Sequence, residues 1–258
     1  GVPLLHWTGR QFTLTASGER YHARIASAVA EIGFATRELR GSAAAQPIRV
    51  WCSHGLSIQW LAARIAEFER GFPDVHVDLR PSDTPASLTR HEADVNIFMH
   101  LEHEIATGAS PGLKAQVLAR PVSMIAASPA LARELTWVRS ASDLLQAPLL
   151  HGRHTRDWNW WLTINGVQTP QELPGELCWH PHMALEATRL GRGVLLANRF
   201  FFERDIERGD IVELKVPGTS NRPFGAYLFV AREDRWSVPA IAALRRFLTE
   251  RMKVMEVG

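Results

Sequence analysis

The chain of 258 residues is long enough for two compact lobes, and 46% hydrophobic with 22% charged residues is typical of a soluble globular protein. No apolar run approaches the ~20 residues of a membrane span, and residues 1–8 lack the order of a signal peptide, so we expect a cytosolic (cytoplasmic) protein with no membrane partner. Five arginines and three glutamates lie in residues 1–41, whereas the rest of the chain holds 24 basic and 24 acidic side chains. Any attraction to nucleic acid therefore belongs to the N-terminal segment.

The first elements in chain order are a short strand and a long helix. Residues 10–15 alternate as a strand does, and Thr15 is a favourable helix N-cap. Apolar residues then recur at intervals of four and three, which is the seam of a coiled coil: Tyr21, Ile25, Ala28, Ile32, Ala35 and Leu39. A seam this narrow usually pairs with another helix, and a helix packed on its own domain is the alternative. We therefore expect dimerisation through a helix over residues 15–40, followed by a hinge of small residues at 41–47.

The next segment predicts a strand, a tight polar turn and a helix. Ile48–Cys52 is an apolar run, and Ser53–Ser57 forms the predicted turn. The apolar positions after the turn follow helical spacing, at Ile58, Leu61, Ala62, Ile65 and Phe68. A second strand is predicted over Val75–Leu79. Because a helix N-terminus that follows a parallel strand offers unpaired N–H groups, this turn is a candidate ligand site.

The N-terminal sequence resembles a known family of regulators. Leu4–Gly18 looks like the end of the winged helix-turn-helix of LysR-type transcriptional regulators, and the linker helix, hinge and strand-helix-strand continue that order through the whole chain. Leu5 and Trp7 stand where the wing motif of the family usually has Phe and Arg. The resemblance implies a DNA-phosphate contact of the wing at Arg10, operator DNA bound through a head that precedes residue 1, and a homodimer or homotetramer.

The resemblance also implies an α/β fold, in which a two-lobed effector domain like that of periplasmic binding proteins follows a wing remnant and a long linker helix. The wing remnant is expected at residues 1–14, and the linker helix with its hinge at 15–46. Lobe I is expected to comprise 47–121 and 227–258. Lobe II is expected to comprise 122–226.

Patterns within the chain agree with this plan. Asp94–Ile97 and Gly191–Leu196 resemble the family's Asp-hydrophobic-Ala-Ile and Gly-x-Gly-Val-Ala-Leu motifs. Further strands are predicted over Val95–Met99, Ser123–Ala127, Pro148–His151 and Tyr227–Ala231. A closing helix is predicted after Ser237, with four inward side chains: Ile241, Leu244, Phe247 and Leu248.

Seven of the eleven histidines fall on turns that we expect to face the cleft between the lobes: His54, His100, His103, His151, His154, His180 and His182. By the resemblance, the effector site is formed by Ser53, His54, Gly55, Phe98, Met99, His100, His151, Trp179, His180 and His182. Such histidines can hydrogen-bond an anionic ligand, or they can bind Zn²⁺ or Ni²⁺ if three or four converge at about 2.0 to 2.1 Å. Their spacings are compatible with a metal but not specific for one, so we expect a small anionic effector and neither metal nor cofactor.

Catalytic motifs are poorly supported. Gly108–Gly112 matches Gly-x-Ser-x-Gly, but Pro111 lacks the N–H that the residue after the nucleophile must donate, and a surface turn is the alternative. We therefore expect no enzyme. Cys52 and Cys178 are expected to be reduced core residues. Three tryptophans are expected to be mostly helix core rather than a stacking platform: Trp158, Trp160 and Trp161.

The sequence thus favours a LysR-type regulator whose two lobes sense a small molecule. Leu149–His151 with Asp157, Trp158 and Trp161–Leu162 resembles the branch that contains glycine-cleavage and β-lactamase regulators. The alternative is a solute-binding protein of a transport system, which shares the two-lobed fold. The seam helix and the lack of a signal peptide argue against that alternative.

Overall fold

The computed structural model describes residues 1–7, 9, 11–39 and 46–256. Its N-terminal part is an antiparallel hairpin of β1 (Leu5–Trp7) and β2 (Phe12–Leu14), followed by α1 (Ala16–Leu39). The predicted short strand and long helix are therefore confirmed. Arg10 lies outside the described residues, as does most of the predicted hinge at 41–47.

Thr15 caps α1, as the sequence predicts. Its Oγ1 accepts a 3.0 Å hydrogen bond from the N–H of Gly18 and donates a 2.8 Å bond to the carbonyl of Pro3. Beyond the cap, four of the predicted seam residues are exposed along the helix: Tyr21, Ile25, Ala28 and Ile32. The side chains of Ala35 and Leu39 lie outside the description, and pairing through the seam stays a prediction.

Most of the remaining elements belong to two sheets with their helices. Lobe I begins with β3 (Ile48–Ser53), α2 (His54–Leu56), α3 (Ala62–Gly71), β4 (Val77–Ser82), β5 (Val95–Leu101), α4 (Glu102–Ala106) and β6 (Leu113–Ala119). Lobe II follows with β7 (Ser123–Ala127), α5 (Pro129–Glu134), β8 (Leu149–His151), α6 (Arg156–Ile164), β9 (Glu176–Leu177), α7 (Pro181–Arg189), β10 (Val194–Asn198), α8 (Arg199–Arg208) and β11 (Val212–Glu213). The chain then returns to lobe I with β12 (Gly225–Arg232) and α9 (Pro239–Glu256).

Both sheets are mixed. In lobe I the strand order is β4-β3-β5-β12-β6, with β3 parallel to β4 and β5, and β12 antiparallel to its neighbours. In lobe II the order is β11-β7-β10-β8-β9. The two segments that cross between the lobes run side by side, because Val122 and Pro223 form an isolated antiparallel bridge. Within the described ranges, no helix combines the length and apolar character that a membrane span requires.

The helix after β3 departs from its prediction. The segment expected as a polar turn is the first turn of the helix, which begins at His54 and includes a π-helical turn at Ser57–Leu61. A π turn contains an extra residue and so rotates the side chains that precede α3. For that reason Ile58 and Ala62 are exposed, contrary to prediction, and the buried apolar positions are Leu56, Trp60, Leu61, Ile65 and Phe68. The second strand also begins later than predicted, at Val77.

Helix α8 joins the cores of the two lobes. Phe200 is 1% exposed and lies in the lobe I core, with its ring edge-on to Trp60 at 5.4 Å and to Tyr227 at 5.9 Å between centroids. Phe202, two residues on, is fully buried in the core of lobe II. Because one helix buries side chains in both cores, the lobes are held together on this side of the cleft.

Candidate functional site

A cavity of about 350 Å³ lies between the lobes. Its size is within the range of small-molecule sites, and it lies beyond the carboxyl ends of β3 and β10, where ligands bind in open α/β sheets. Polar side chains of lobe I line it at Ser53, His54, Ser82, Asp83 and Tyr227. Lobe II contributes Arg153, His154, Arg156, Asp157, His180 and Asn198.

The N-terminus of the helix after β3 forms one wall of this cavity. Ser53 is its N-cap residue, with φ −55° and ψ 141°, and its side chain makes no capping hydrogen bond. The first N–H groups of a helix have no partner within it, so this wall favours negative charge. Gly55 permits a close approach of lobe II, since a Cβ at this position would lie 3.0 Å from the Phe201 ring.

A polar cluster spans the mouth of the cavity. The Nδ1 atom of His54 lies 3.2 Å from Oδ1 of Asp83, and Nη2 of Arg153, from lobe II, lies 2.6 Å from Oδ2 of the same carboxylate. The rings of His54 and His180 meet edge-on at 5.6 Å. The Arg153 guanidinium, with a smaller contribution from both histidines, holds the pKa of Asp83 below its usual range. Asp83 is therefore a carboxylate at neutral pH.

Two acceptors in the cavity lack a hydrogen-bond partner among the described residues. They are Oδ1 of Asn198 and Oδ1 of Asp157. The Asn198 amide is oriented by its Nδ2 atom, which donates to the Tyr227 hydroxyl at 3.1 Å. Shielded acceptors of this kind favour a ligand that carries hydrogen-bond donors.

Comparison with known proteins identifies the family. The family model of the LysR substrate binding domain matches residues 41–253. The chain belongs to this family. It is 26% identical over 255 residues to the glycine cleavage system transcriptional activator of Escherichia coli K12, covering 96% of the chain and 79% of that protein. It is 28% identical over 258 residues to the homolog of that activator in Haemophilus influenzae, covering 99% and 82%.

Solved structures of LysR-family regulators share the fold. The effector domain of AmpR from Pseudomonas aeruginosa matches with a TM-score of 0.65 at 23% identity, covering 83% of this chain and 98% of that one. CrgA from Neisseria meningitidis matches with a TM-score of 0.64 at 20% identity, covering 97% and 84%. The predicted two-lobed α/β fold and LysR membership are confirmed. The chain contains, over residues 41–253, the effector domain of a LysR-type transcriptional regulator, and the relatives named here are regulators.

Of the residues that the LysR resemblance implicates, five line the cavity: Ser53, His54, Gly55, Met99 and His180. His100 does not, because successive side chains of a strand point to opposite faces and Met99 occupies the cavity side. The His100 ring instead faces a second cavity of about 620 Å³ in lobe I, where its Nδ1 lies 3.8 Å from Glu104. Phe98 is buried and does not line the cleft, and the exposed His103 lies outside it.

Three further residues were expected in the site but lie beside it. His151 is 2% exposed, with Nε2 2.9 Å from the Pro174 carbonyl, and burial lowers its pKa. Trp179 has φ +61° and is 75% exposed, which directs it to solvent. His182 stacks on His180 at 5.2 Å, and burial, followed by the charges of its neighbours, lowers its pKa. His154, which was expected on a turn facing the cleft, does line the cavity.

The remaining residues that the sequence analysis considered for a function lie outside the cavity of this LysR-family chain. Trp158 and Trp161 are buried, and their indole N–H groups donate to the Leu150 carbonyl and to Asn221, which confirms the helix-core prediction. The Gly108–Gly112 motif lies in an exposed loop between α4 and β6. Both cysteines are free thiols, and burial raises the pKa of Cys52 to about 12.

Several polar residues of the cavity were not singled out for a ligand by the sequence, among them Asp83, Arg153, Arg156, Asp157 and Asn198. Asp83 and Arg153 lie in loops, Arg156 and Asp157 begin α6, and Asn198 ends β10, so none of them belongs to a recognisable motif. The sequence analysis named Asp157 only in the resemblance to glycine-cleavage and β-lactamase regulators. The position of Arg156 and Asp157 shortly after β8 is the signal that could have identified both residues. Asp83 lies in the loop after β4, and only the approach of lobe II brings Arg153 and His180 to it.

Proposed function

We propose that this chain senses a small, carboxylate-bearing molecule in the cavity between its lobes. The observation that carries the proposal is the polar lining contributed by both lobes around a cavity of about 350 Å³. The helix N-terminus at Ser53, in lobe I, lines the same cavity as Arg153 and Arg156, in lobe II. The guanidinium of Arg153 is paired with Asp83, and that of Arg156 lies 3.8 Å from Asp157. A ligand held between these groups makes contacts to both lobes.

The lining favours an anionic group and hydrogen-bond donors on one molecule. A helix N-terminus stabilises negative charge by about 0.3 to 1 kcal/mol, and a well-aligned hydrogen bond to a charged group adds ~1.5 to 3 kcal/mol. Oδ1 of Asn198 and Oδ1 of Asp157, which lies 3.8 Å from Arg156 Nε, have no hydrogen-bond partner among the described residues and are suited to accept from amino or amide groups of the same molecule. No step of covalent chemistry is needed, so the proposal is a binding role without a cofactor.

Ligand binding would act by changing how the lobes close. A ligand that contacts both lobes favours the relative position of the lobes in which all of its contacts are made. This position in turn favours one orientation of the linker helix. The exposed apolar residues Tyr21, Ile25 and Ile32 are suited to pairing α1 with a second copy, as a homodimer or within a homotetramer. The regulator would then act on operator DNA in the bacterial cytoplasm through its DNA-binding head. In this proposal residues 1–14 complete the wing and 15–46 link it to lobes made of 47–121 with 227–258 and of 122–226.

Calorimetric titration with a panel of free amino acids, short peptides and dicarboxylates tests this proposal. For any member that binds, Ser53→Ala and Arg156→Gln are each expected to weaken binding by about tenfold, the equivalent of one hydrogen bond to a charged group. His100→Ala is the matched control, because His100 faces the other cavity. Binding that is unaffected by the first two substitutions but lost in the control would move the effector site to lobe I.

A further inference from the structure

Three side chains with metal-binding atoms converge at the mouth of the cavity. His54, on α2, and Asp83, in the loop after β4, belong to lobe I, and His180 precedes α7 in lobe II. One ligand atom from each lies within 4.8 Å of the other two. Within the described residues this is the group of histidines and carboxylates that meets the spacing of a metal site.

The lobe I pair already has the spacing of two ligands on one ion. Tetrahedral Zn²⁺ with ligands at about 2.0 to 2.1 Å places neighbouring ligand atoms ~3.3 Å apart. The observed distance from His54 Nδ1 to Asp83 Oδ1 is 3.2 Å. This contact does not have hydrogen-bond geometry, since His54 Nδ1 is without a hydrogen-bond partner among the described residues. The two atoms form an ion pair when His54 is protonated, but no hydrogen bond joins them, and with His54 neutral both are available to a common ion.

His180 completes the set from the opposite lobe. A distance of up to 4.8 Å to the other two ligand atoms must shorten by up to ~1.5 Å for a tetrahedral ion, so metal binding draws lobe II toward lobe I. The Nδ1 of His180 accepts a 3.3 Å hydrogen bond from the His182 backbone N–H, and because a neutral imidazole has a single lone pair, metal binding replaces this bond. Stacking on His182, at 5.2 Å between ring centroids, orients the ring of His180. An oriented ring loses less freedom when it binds an ion.

The ligand types select the metal. Two imidazoles and one carboxylate suit Zn²⁺, Ni²⁺ or Cu²⁺, whereas Mg²⁺ and Ca²⁺ prefer all-oxygen sites. Arg153 binds the second oxygen of Asp83, and such a partner orients a ligating carboxylate. Three protein ligands leave at least one position for water or for a carboxylate from solution.

We propose that His54, Asp83 and His180 form a divalent transition-metal site that clamps the two lobes together at the mouth of the cleft. The site goes beyond the effector proposal, because metal binding needs no effector and would set how far the cleft is open. The sequence favoured anion binding by these histidines, and it did so without the carboxylate of Asp83. That carboxylate turns two cleft histidines into a site with a metal-compatible donor set.

The first test is metal titration of the chelator-treated chain without any carboxylate ligand. We expect calorimetry to show one Zn²⁺ bound per chain. With Co²⁺ in its place, we expect the visible absorption spectrum of a tetrahedral Co²⁺ ion. Asp83→Asn, His54→Gln and His180→Asn are each expected to weaken Zn²⁺ binding by more than about 100-fold, because loss of a ligand exceeds the 10–100-fold effect of losing its supporting partner. Asn at position 180 keeps a residue suited to the N-cap of α7.

Two controls separate the clamp from simpler arrangements. His100→Gln removes a histidine that also faces a glutamate but lies in the other cavity, and it should leave Zn²⁺ binding unchanged. Arg153→Gln breaks the direct contact between Asp83 and lobe II but keeps all three ligands, so it should weaken Zn²⁺ binding by no more than about 100-fold. In X-ray scattering, Zn²⁺ should reduce the radius of gyration of the wild-type chain and leave that of Asp83→Asn unchanged.

The proposal is overturned if the wild-type chain binds no stoichiometric Zn²⁺, if binding survives substitution of all three ligands, or if Zn²⁺ causes no compaction. In the first case, the contact of Arg153 with Asp83 would be a metal-independent latch. Because these titrations contain no effector, a negative result leaves the carboxylate proposal intact. A failed effector screen likewise leaves the metal result standing.

Discussion

Truncation of Phe200 tests whether α8 fastens the two lobes. The Phe200 ring is 1% exposed and fills a space in the lobe I core between Trp60 and Tyr227, although its helix follows a strand of lobe II. Phe200→Ala removes a buried ring and both edge-on aromatic contacts. The loss falls on the contact that holds the lobes together.

The expected cost is large. Truncation of a buried phenylalanine to alanine lowers the free energy of unfolding by about 3 to 5 kcal/mol, because burial is lost and a cavity is left. Each edge-on aromatic pair contributes ~0.5 to 1.5 kcal/mol of that loss. For a chain of this size, each kcal/mol lowers the melting temperature by about 2 to 4 °C, so a decrease of about 6 to 20 °C is expected. Phe200→Leu keeps most of the buried apolar volume and should recover a large part of the loss.

Phe202→Ala is the matched control, because Phe202 is on the same helix and equally buried but belongs to the lobe II core. Thermal denaturation should show a similar loss of stability for both alanine variants. X-ray scattering should show a larger radius of gyration for Phe200→Ala alone, since only that variant loosens the contact between lobes. If both variants scatter alike, or if Phe200→Ala leaves the melting temperature unchanged, α8 does not fasten the lobes.

Three other predictions follow from the same structure. Replacing Ile25 and Ile32 together by Glu should lower the mass of the assembly in light scattering without unfolding the lobes, because charge at a helix seam is costly to desolvate. An unchanged mass would assign the assembly to other surfaces. Gly55→Ala places a Cβ 3.0 Å from the Phe201 ring and should reduce the affinity of any cavity ligand found by calorimetry, whereas unchanged affinity would show that the ring moves freely. Because the pKa of His182 is lowered in the folded chain, its contribution to stability is present above its ordinary pKa and is lost as pH falls from about 6.5. His182→Gln should therefore reduce the drop in melting temperature between about pH 7.5 and pH 5.5, and an identical drop would contradict the assignment.

Local patterns in the sequence were sufficient for most elements and for the family. The N-cap at Thr15, the core strand at Ile48–Cys52 and the helix that buries Trp158 and Trp161 depend on residues close in the chain, so short-range spacing predicted them. The order of those elements also supported the LysR resemblance. Inward positions of the closing helix were predicted for the same reason, as Ile241, Leu244 and Leu248 are buried.

Only the tertiary structure decided which side chains meet at the site. The helix begins at His54, directly after β3, and its π turn lies at Ser57–Leu61, neither of which apolar periodicity predicted, and strand parity turned His100 away from the cleft. Asp83 had no local signal, because its partners His54 and His180 come to it through the fold of lobe I and the approach of lobe II. Contacts between residues distant in the chain depend on how the sheets pack. Helical or strand periodicity describes only neighbouring residues, so it does not predict which distant residues meet.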